Sequence, residues 1–313
     1  MKDLHGKHIV VVMGGPSSEA EVSRRTGAAV LDALHARGYE AEGMEFRPRT
    51  FAEEIKASGA DVVFNAMHGA FGEDGRVQAA LELVGIPYTG SGVLASAVTM
   101  DKVAAKNVFI AAGISTPRSV IYKRVLWREN EGAVVSEIKE KFTLPVVVKA
   151  ASQGSSIGVE IVEKADDIAD ALKKSFSYDE EVLVEEFIDG MEITVAVIGD
   201  GVKAETMPII EITTESGRYD YESKYTVGAS HHIIPARLDE AVAERARDMA
   251  KKTFAACGLK GVARVDMMVG GDVPYVIDVN TVPGMTETSL VPDAARSMGV
   301  EFPELCERLL LMV

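Results

Sequence analysis

Two β-rich runs on either side of Gly270-Gly271-Asp272 constrain this chain more than any other feature. The first is Gly261-Val262-Ala263-Arg264-Val265-Asp266-Met267-Met268-Val269. The second, Tyr275-Val276-Ile277-Asp278-Val279-Asn280, leads into Thr281-Val282-Pro283-Gly284-Met285. β-Branched runs around a glycine pair predict a hairpin. A turn centred there sets Asp266 opposite Asp278. The two-residue period of a strand puts Arg264 with Asp266, and Asp278 with Asn280, on one face. Two carboxylates, an amide and a guanidinium among apolar neighbours form an oxygen-rich nest. Such a nest suits Mg²⁺, a hard ion held by one or two carboxylates and by substrate phosphates. A hairpin with a solvated polar face is the competing reading, and the Val, Met and Ile neighbours argue for burial instead.

At 313 residues the chain has room for two or three domains. Its formal net charge of −15 disfavours non-specific binding to nucleic acid or to anionic lipid. A phosphate ligand is still compatible, because Lys, Arg and Mg²⁺ gathered in a cleft reverse the sign locally. Cys257 and Cys306 form neither a metal-ligand spacing nor a disulfide framework. The first apolar run, Ile9 to Met13, is too short for a leader, and no later run is long enough to span a bilayer. The expectation is a cytoplasmic protein with no nucleic-acid or membrane partner.

The first ninety residues alternate β and α. His8 to Met13 predicts a buried strand, and Gly14-Gly15-Pro16-Ser17-Ser18 turns into a helix from near Glu19 past Leu34. Tyr39 to Phe46 predicts a strand and Thr50 to Ala57 a helix. Asp61 to Ala66 forms a third strand that delivers His68-Gly69 to a loop, ahead of a helix through Leu83. This order implies an open parallel sheet with its ligand crevice at the carboxyl ends of the strands. Glu21 and His68 stand at two such ends. Glu21, in a first helical turn, reads as dipole-complementing decoration or as a ligand group. His68 reads as a satisfied structural histidine or as part of a site. Gly14-Gly15 lacks the GxGxxG spacing, and Gly90-Ser91-Gly92 has only a short strand before it. A tight interdomain connection is therefore preferred to a dinucleotide loop.

Residues 93 to 113 look helical and include Met100-Asp101-Lys102. Ser119 to Tyr122 predicts a strand, and Glu129 to Lys141 an amphipathic helix. Leu144 to Lys149 predicts a strand that runs into Ser152-Gln153-Gly154-Ser155-Ser156-Ile157-Gly158-Val159. A strand-terminal lysine beside a Gly/Ser loop offers a triphosphate a cation and several backbone N–H groups. A flexible hairpin tip is the other reading. No GxxxxGK[ST] loop occurs. Val182 to Ile188 predicts a strand whose backbone can pair with an adenine edge while apolar side chains sandwich the ring. Glu192 to Ile198 and Lys203 to Ile210 predict two more strands. Glu211 to His232 is a long polar connection carrying Tyr219, Tyr221, Lys224 and Tyr225, a lid or a disordered segment. His231-His232 has no third metal ligand nearby and reads as structural. Asp239 to Cys257 predicts a helix, and Thr288-Ser289-Leu290 begins a last helical region reaching Val313.

The ordered set of the Lys-Gly/Ser loop, Glu185-Glu186-Phe187-Ile188, Arg264-Val265-Asp266 and Asp278-Val279-Asn280-Thr281-Val282-Pro283-Gly284-Met285 resembles the ATP-grasp superfamily. Within it the chain closely resembles the D-alanine–D-alanine ligase family, over essentially its whole length. The resemblance includes Met13 to Ser23, His68 to Gly75, Tyr88 to Gly92, Met100-Asp101-Lys102 and Tyr219 to Tyr225. It implies an α/β chain with an α+β C-terminal part: an N-terminal Rossmann-like substrate domain at 1–92, a central ATP-grasp domain at 93–189 and a C-terminal one at 190–313. The implied activity is ATP-dependent joining of two D-alanines through a D-alanyl phosphate, for peptidoglycan precursors. D-Serine or D-lactate as acceptor is the alternative. ATP and Mg²⁺ are the implied cofactors, with two ions for which Mn²⁺ substitutes, and a homodimer is the implied assembly.

The resemblance also distributes roles. Lys102, Lys149, Ser155 and Ser156 would meet the triphosphate, and Asp266, Asp278 and Asn280 the metal. Glu185, Glu186, Phe187 and Ile188 would hold adenine and Glu192 the ribose. Glu21 would bind the first ammonium. Arg264 would hold the first carboxylate and then, with the Gly284 N–H, the tetrahedral oxyanion. Ser289, the Leu290 N–H and Lys224 would grip the second carboxylate, while Tyr225 and Ser155 bond to Glu21 and close the lid. His68 would line the cleft. Lys224 paired with Tyr225 matches the D-alanine-accepting type. Asp278 departs from the family's usual Glu; a side chain shorter by about 1.5 Å implies a weaker bridge to a second ion.

Overall fold

A computed structural model describes residues 4–154, 157–214, 230–286 and 289–313. The first sheet is built on β1 (His8–Met13), whose residues Ile9 to Val12 are completely buried. It lies between β2 (Glu40–Glu45) and β3 (Val62–Asn65) in the order β2-β1-β3, all parallel. An unbroken apolar run is what a parallel strand covered on both faces requires. Helix α1 (Ala20–Ala36) covers one face with Val22, Thr26, Val30, Ala33 and Leu34 turned inward. Helices α2 (Phe51–Ser58) and α3 (Arg76–Val84) cover the other through Phe51, Ile55, Val77 and Leu81. The predicted open parallel sheet is present, and the carboxyl ends of β1 and β3 lead into Gly14 and His68.

Helices α4 (Val93–Met100) and α5 (Lys102–Ala111) replace the single helix expected over 93–113. Asp101 makes the break. Its carboxylate accepts from the amides of Val103 and Ala104, both at 2.9 Å, and so caps α5. A second break divides α6 (Arg124–Glu129) from α7 (Glu131–Lys141), where the Asn130 side chain accepts from the Ala133 amide. The central sheet has the order β4-β7-β5-β6 and is antiparallel throughout. Its strands are β4 (Ser119–Lys123), β5 (Val146–Ala150), β6 (Val159–Val162) and β7 (Glu181–Glu186). Helices α7 and α8 (Ile168–Phe176) back it through Ile138, Leu172 and Phe176.

The third sheet runs β11 (Ser230–Ile233), β10 (Ile210–Thr214), β8 (Met191–Asp200), β12 (Lys260–Gly270) and β13 (Val273–Asn280), with the short β9 (Glu205–Thr206) beside β8. Two expectations change here. The stretch 203–210 is not one strand: a 3₁₀ turn at Gly201–Lys203 precedes β9, Pro208 interrupts the ladder, and β10 (Ile210–Thr214) starts afresh. The ends of the polar stretch 211–232 are strands, because β11 (Ser230–Ile233) pairs antiparallel with β10. Glu211 reads as loop by composition, yet it is buried in β10 against the Arg237 guanidinium. Helix α9 (Glu240–Ala256) covers the sheet, and α4 and α5 pack into the same core through Ala95, Ala105 and Phe109.

The last two helices, α10 (Leu290–Ser297) and α11 (Phe302–Leu310), fold back on the first sheet. Leu305 and Leu309 share a core with Val30 and Leu34, and Glu307 is bonded to Arg37 and to the Tyr39 hydroxyl. The glycine-rich connection at 90–92 is a point of close approach. Gly261 has φ of +77°, and a Cβ there would lie 2.9 Å from the Cα of Gly90. Gly261→Ala is expected to destabilise the fold by about 2 kcal/mol through backbone strain and this clash. A denaturation midpoint equal to that of the parent would show that neither matters.

Candidate active site

Strands β12 (Lys260–Gly270) and β13 (Val273–Asn280) form the predicted hairpin, with Arg264 opposite Asn280 and Asp266 opposite Asp278. Its alternation is broken once. Asp266 and Met267 face Asp278 and Val276, so Ile277 is an extra residue at a β-bulge beside the two aspartates. Arg264 sends Nε and Nη2 to the two oxygens of Asp266 at 2.8 and 2.9 Å. Thr194 of β8 donates to Asp266 Oδ1 at 2.6 Å. The carboxylate is therefore gripped by a bidentate fork and a hydroxyl, and this holds the guanidinium at a fixed angle.

A cleft with about 920 Å³ of space, open to solvent, lies in front of this fork. Its walls include His68, Lys102, Arg264, Asp278, Asn280, Gly284, Ser289 and Leu290 of the sequence-predicted residues, with Glu19, Glu73 and Gly154 beside them. Glu21 is not in the cleft. Its side chain is 76% exposed and faces Arg24. Glu19, 7% exposed, takes the inward position between Gly69 and Gly154, where a Cβ would lie 2.5 and 3.0 Å from its Oε2. The reason is helical phase. Two positions turn a side chain by about 200°, so Glu19 shares a face with Val22, Ser23 and Thr26, and Glu21 shares one with Arg24 and Arg25.

His68 is almost fully buried, with Nδ1 3.0 Å from the Val282 carbonyl and Nε2 2.8 Å from the Thr26 hydroxyl. A carbonyl only accepts, so Nδ1 is the donor. The histidine thereby ties the end of β3 to the loop that carries Gly284. Glu73 stands 3.5 Å from the same nitrogen. Burial pushes its carboxyl above the ordinary range, His68 opposes that rise, and the neighbouring Glu19 adds to it.

On the opposite wall, Lys102 Nζ donates to the Gln153 carbonyl at 2.7 Å and lies 3.9 Å from Asp278. Behind it Glu185 is shared, with Oε1 2.7 Å from Lys106 Nζ and Oε2 2.7 Å from Lys149 Nζ. Burial works against the charge on Glu185, but Lys149 and Lys106 outweigh it and hold the carboxyl below its ordinary range. Burial likewise opposes the charge on Lys149, and Glu185, Asp278 and Glu192 overcome it. The paired part of β7 ends at Glu186, whose carboxylate accepts from the Arg118 amide at 2.8 Å. Phe187 and Ile188 lie just beyond the ladder. Ser289 Oγ accepts from the Thr286 amide at 2.9 Å, and a Cβ on Gly284 would lie 2.8 Å from it, so a side chain there would displace the hydroxyl. Leu290 opens α10. Ser155, Ser156, Lys224 and Tyr225 lie outside the described residues.

Among the described residues no group of three or more His, Cys, Asp or Glu is arranged to hold a metal alone. Asp278 keeps 41% of its side chain exposed, while Asp266 is bound to Arg264 and Thr194, and Asn280 Oδ1 accepts from the Val282 amide at 3.1 Å. Hard oxygen donors in that number fit a Mg²⁺ ion that completes its shell with phosphate oxygens.

Residues 108–311 match the sequence model described as D-ala D-ala ligase C-terminus, and residues 41–91 that described as D-ala D-ala ligase N-terminus. The D-alanine--D-alanine ligase of Desulforudis audaxviator is 47% identical over 306 residues, 97% of each chain. The chain belongs to the D-alanine–D-alanine ligase family. Among solved structures of that fold, the D-alanine--D-alanine ligase of Bacillus anthracis complexed with ATP superposes with a TM-score of 0.83. It has 32% identity and covers 98% of this chain and 97% of its own. The VanG D-Ala:D-Ser ligase of Enterococcus faecalis does so at 0.81, with 31% identity and coverage of 98% and 99%. The ATP-grasp architecture expected of the family is the pair of antiparallel sheets around the clefts described above.

Glu19, Glu73, Thr194 and Lys106 are the polar groups of this ligase-family site that the sequence reading passed over. Glu19 and Glu21 fall on different faces of α1, and which face turns inward is set by packing on β1; the others depend on partners far away in the chain. Glu73 holds its proton more tightly folded than unfolded. The folded state is therefore penalised as pH rises through the ordinary carboxyl range, and the penalty persists above the raised value. Glu73→Gln should gain melting temperature over the parent at pH 8 and lose most of that gain at pH 4.5. Equal gains at both values would remove the buried charge as the cause.

Proposed function

We propose that this cleft joins two D-alanines into D-alanyl-D-alanine with ATP as the activating substrate. The observation that carries the reading is the Arg264–Asp266 fork, which faces the same cleft as Gly284, Ser289, Lys102 and the acid Glu19. A carboxylate oxygen of the first D-alanine attacks the γ-phosphorus, the bond from that phosphorus to the ADP oxygen breaks, and an acyl phosphate forms. The amine of the second D-alanine attacks the acyl carbon. The tetrahedral adduct then expels phosphate with the bonding pair and loses the amine proton.

Each step places negative charge where this chain keeps cations or amides. Lys149 and Lys102 offset the triphosphate, and the backbone beyond Glu186 takes the adenine. Glu192 would take the ribose, a reading supported by its being close enough to act on Lys149. Glu19, rather than Glu21, attracts the first ammonium at short range. Arg264 holds the first carboxylate, and with the Gly284 amide it meets the oxyanion. One such donor is worth about 10²–10³ in rate. Ser289 and the Leu290 amide, at the start of α10, receive the second carboxylate. Asp266, Asp278 and Asn280 would hold Mg²⁺, which when bound supplies positive charge to the phosphate oxygens.

D-Alanine is favoured over D-serine as acceptor because the 47% identical relative is a D-alanine–D-alanine ligase, whereas the D-Ala:D-Ser ligase is 31% identical. The product is a peptidoglycan precursor, and the enzyme works in the cytoplasm. Two buried, unpaired thiols support that location, and no helix among the described residues is long and apolar enough to cross a membrane. The homodimer reading is supported by Leu83, Leu94 and Ile110, exposed by 89, 76 and 65% on α3, α4 and α5, which pack side by side. Sedimentation should give twice the 33.5 kDa chain mass, and Leu94→Asp a single chain. A monomeric parent would remove the dimer.

ADP release should require D-alanine and should not respond to L-alanine. In that assay Glu19→Gln is expected to lose about 10²-fold or more in kcat/KM for D-alanine, and Glu21→Gln less than about threefold. The opposite order would return Glu21 to the site, and release without D-alanine would defeat the reaction itself.

A further inference from the structure

Lys106 is a buried ammonium that none of the roles above uses. It lies one turn beyond Lys102 on α5 and is 6% exposed. Its three N–H donors are all taken, by Glu185 Oε1 at 2.7 Å, Thr116 Oγ1 at 2.9 Å and the Pro117 carbonyl at 2.5 Å. With no donor left over, it cannot act as a phosphate ligand. Its anchorage is firm. Thr116 donates onward to the Val276 carbonyl at 2.8 Å, and the Val276 amide donates to the Ser115 carbonyl at 2.8 Å. Lys106 thus presses on Glu185, a residue of the central sheet, from a support fixed to β13 of the third sheet.

The charge count gives this contact a consequence. Lys149 and Glu185 alone would form a closed, neutral pair. Lys106 on the other oxygen makes a trio of two cations and one anion, all 9% exposed or less, with one positive charge left over. Lys149 makes its one direct ion pair among the described residues with Glu185, while Asp278 and Glu192 act on its charge from farther off, and it keeps two donors for a ligand. The small recess that both lysines line also reaches Lys102 and Asp278.

We propose that Lys106 is a positioning residue for nucleotide binding: by neutralising Glu185 from behind, it keeps the charge of Lys149 available to a polyphosphate. The inference rests on the reading of Lys149 as a triphosphate residue. It assigns Lys106 to the phosphate-binding part of the site, with no contact to base or sugar.

Equilibrium binding of Mg·ADP and of adenosine to the full chain separates this role from a merely structural one. In Lys106→Met the preference for Mg·ADP over adenosine should fall at least about tenfold, with adenosine itself changed less than about threefold. Lys106→Gln retains an amide donor for Thr116 and Pro117 and should show the same loss; it serves in place of the methionine variant should that one not fold. Adding Glu185→Gln to Lys106→Met restores the single positive charge and should recover the preference to within about threefold of the parent. An unchanged preference, equal losses for both ligands, or no recovery in the double variant would each overturn the proposal. A parent protein that binds no Mg·ADP would overturn the nucleotide reading instead.

Discussion

The Arg264–Asp266 fork is the contact on which the rest of the site is arranged. Both side chains are about nine-tenths buried, and both rise from β12, whose backbone is paired with β8 on one side and β13 on the other. A guanidinium taken out of water must be matched by a carboxylate and by further hydrogen bonds, or the desolvation goes uncompensated. Asp266 and Thr194 provide that match. The result is a cation that cannot swing, set in a doubly paired strand facing an open cleft. Preorganisation of this kind lets a donor meet developing charge without reorganising at the moment of reaction.

The same logic recurs on the other wall in a different form. Glu185 serves two lysines, and it does so from β7, which is paired on both sides like β12. The two sheets that face each other thus each carry a buried acid whose task is to orient cations. Glu185 has both of its oxygens taken by those lysines. The N-terminal sheet contributes differently: Glu19 and His68 stand at the ends of elements, as ligand groups of an open parallel sheet do. His68 then reaches across to the Val282 carbonyl, so the loop that carries Gly284 and the first sheet are held in register by one imidazole.

How much of this was legible depends on the range of the interaction. The hairpin and the opposition of its two aspartates follow from alternation and a glycine turn, both local, and the register is as read. The β-bulge at Ile277 was not legible, because an extra residue in one strand leaves no trace in composition. Asp101 and Asn130 fell within stretches that read as helix, and their capping bonds were not legible there. Glu19 and Glu21 shared one motif, and the choice between them required the phase of α1 against β1.

Sequence alone determined the parallel first sheet, the hairpin and the family, because those rest on periodicity and on motifs that are contiguous in the chain. Only the tertiary structure decided which acid enters the cleft, where β10 and β11 begin, and that Lys106 and Lys149 divide one carboxylate. Those outcomes depend on groups far apart in the chain: Lys106 and Glu185, about eighty residues apart, meet because α5 and β7 are brought together by packing. Burial then selects among polar side chains, since an unpaired charge survives in a core only where the fold supplies its partner.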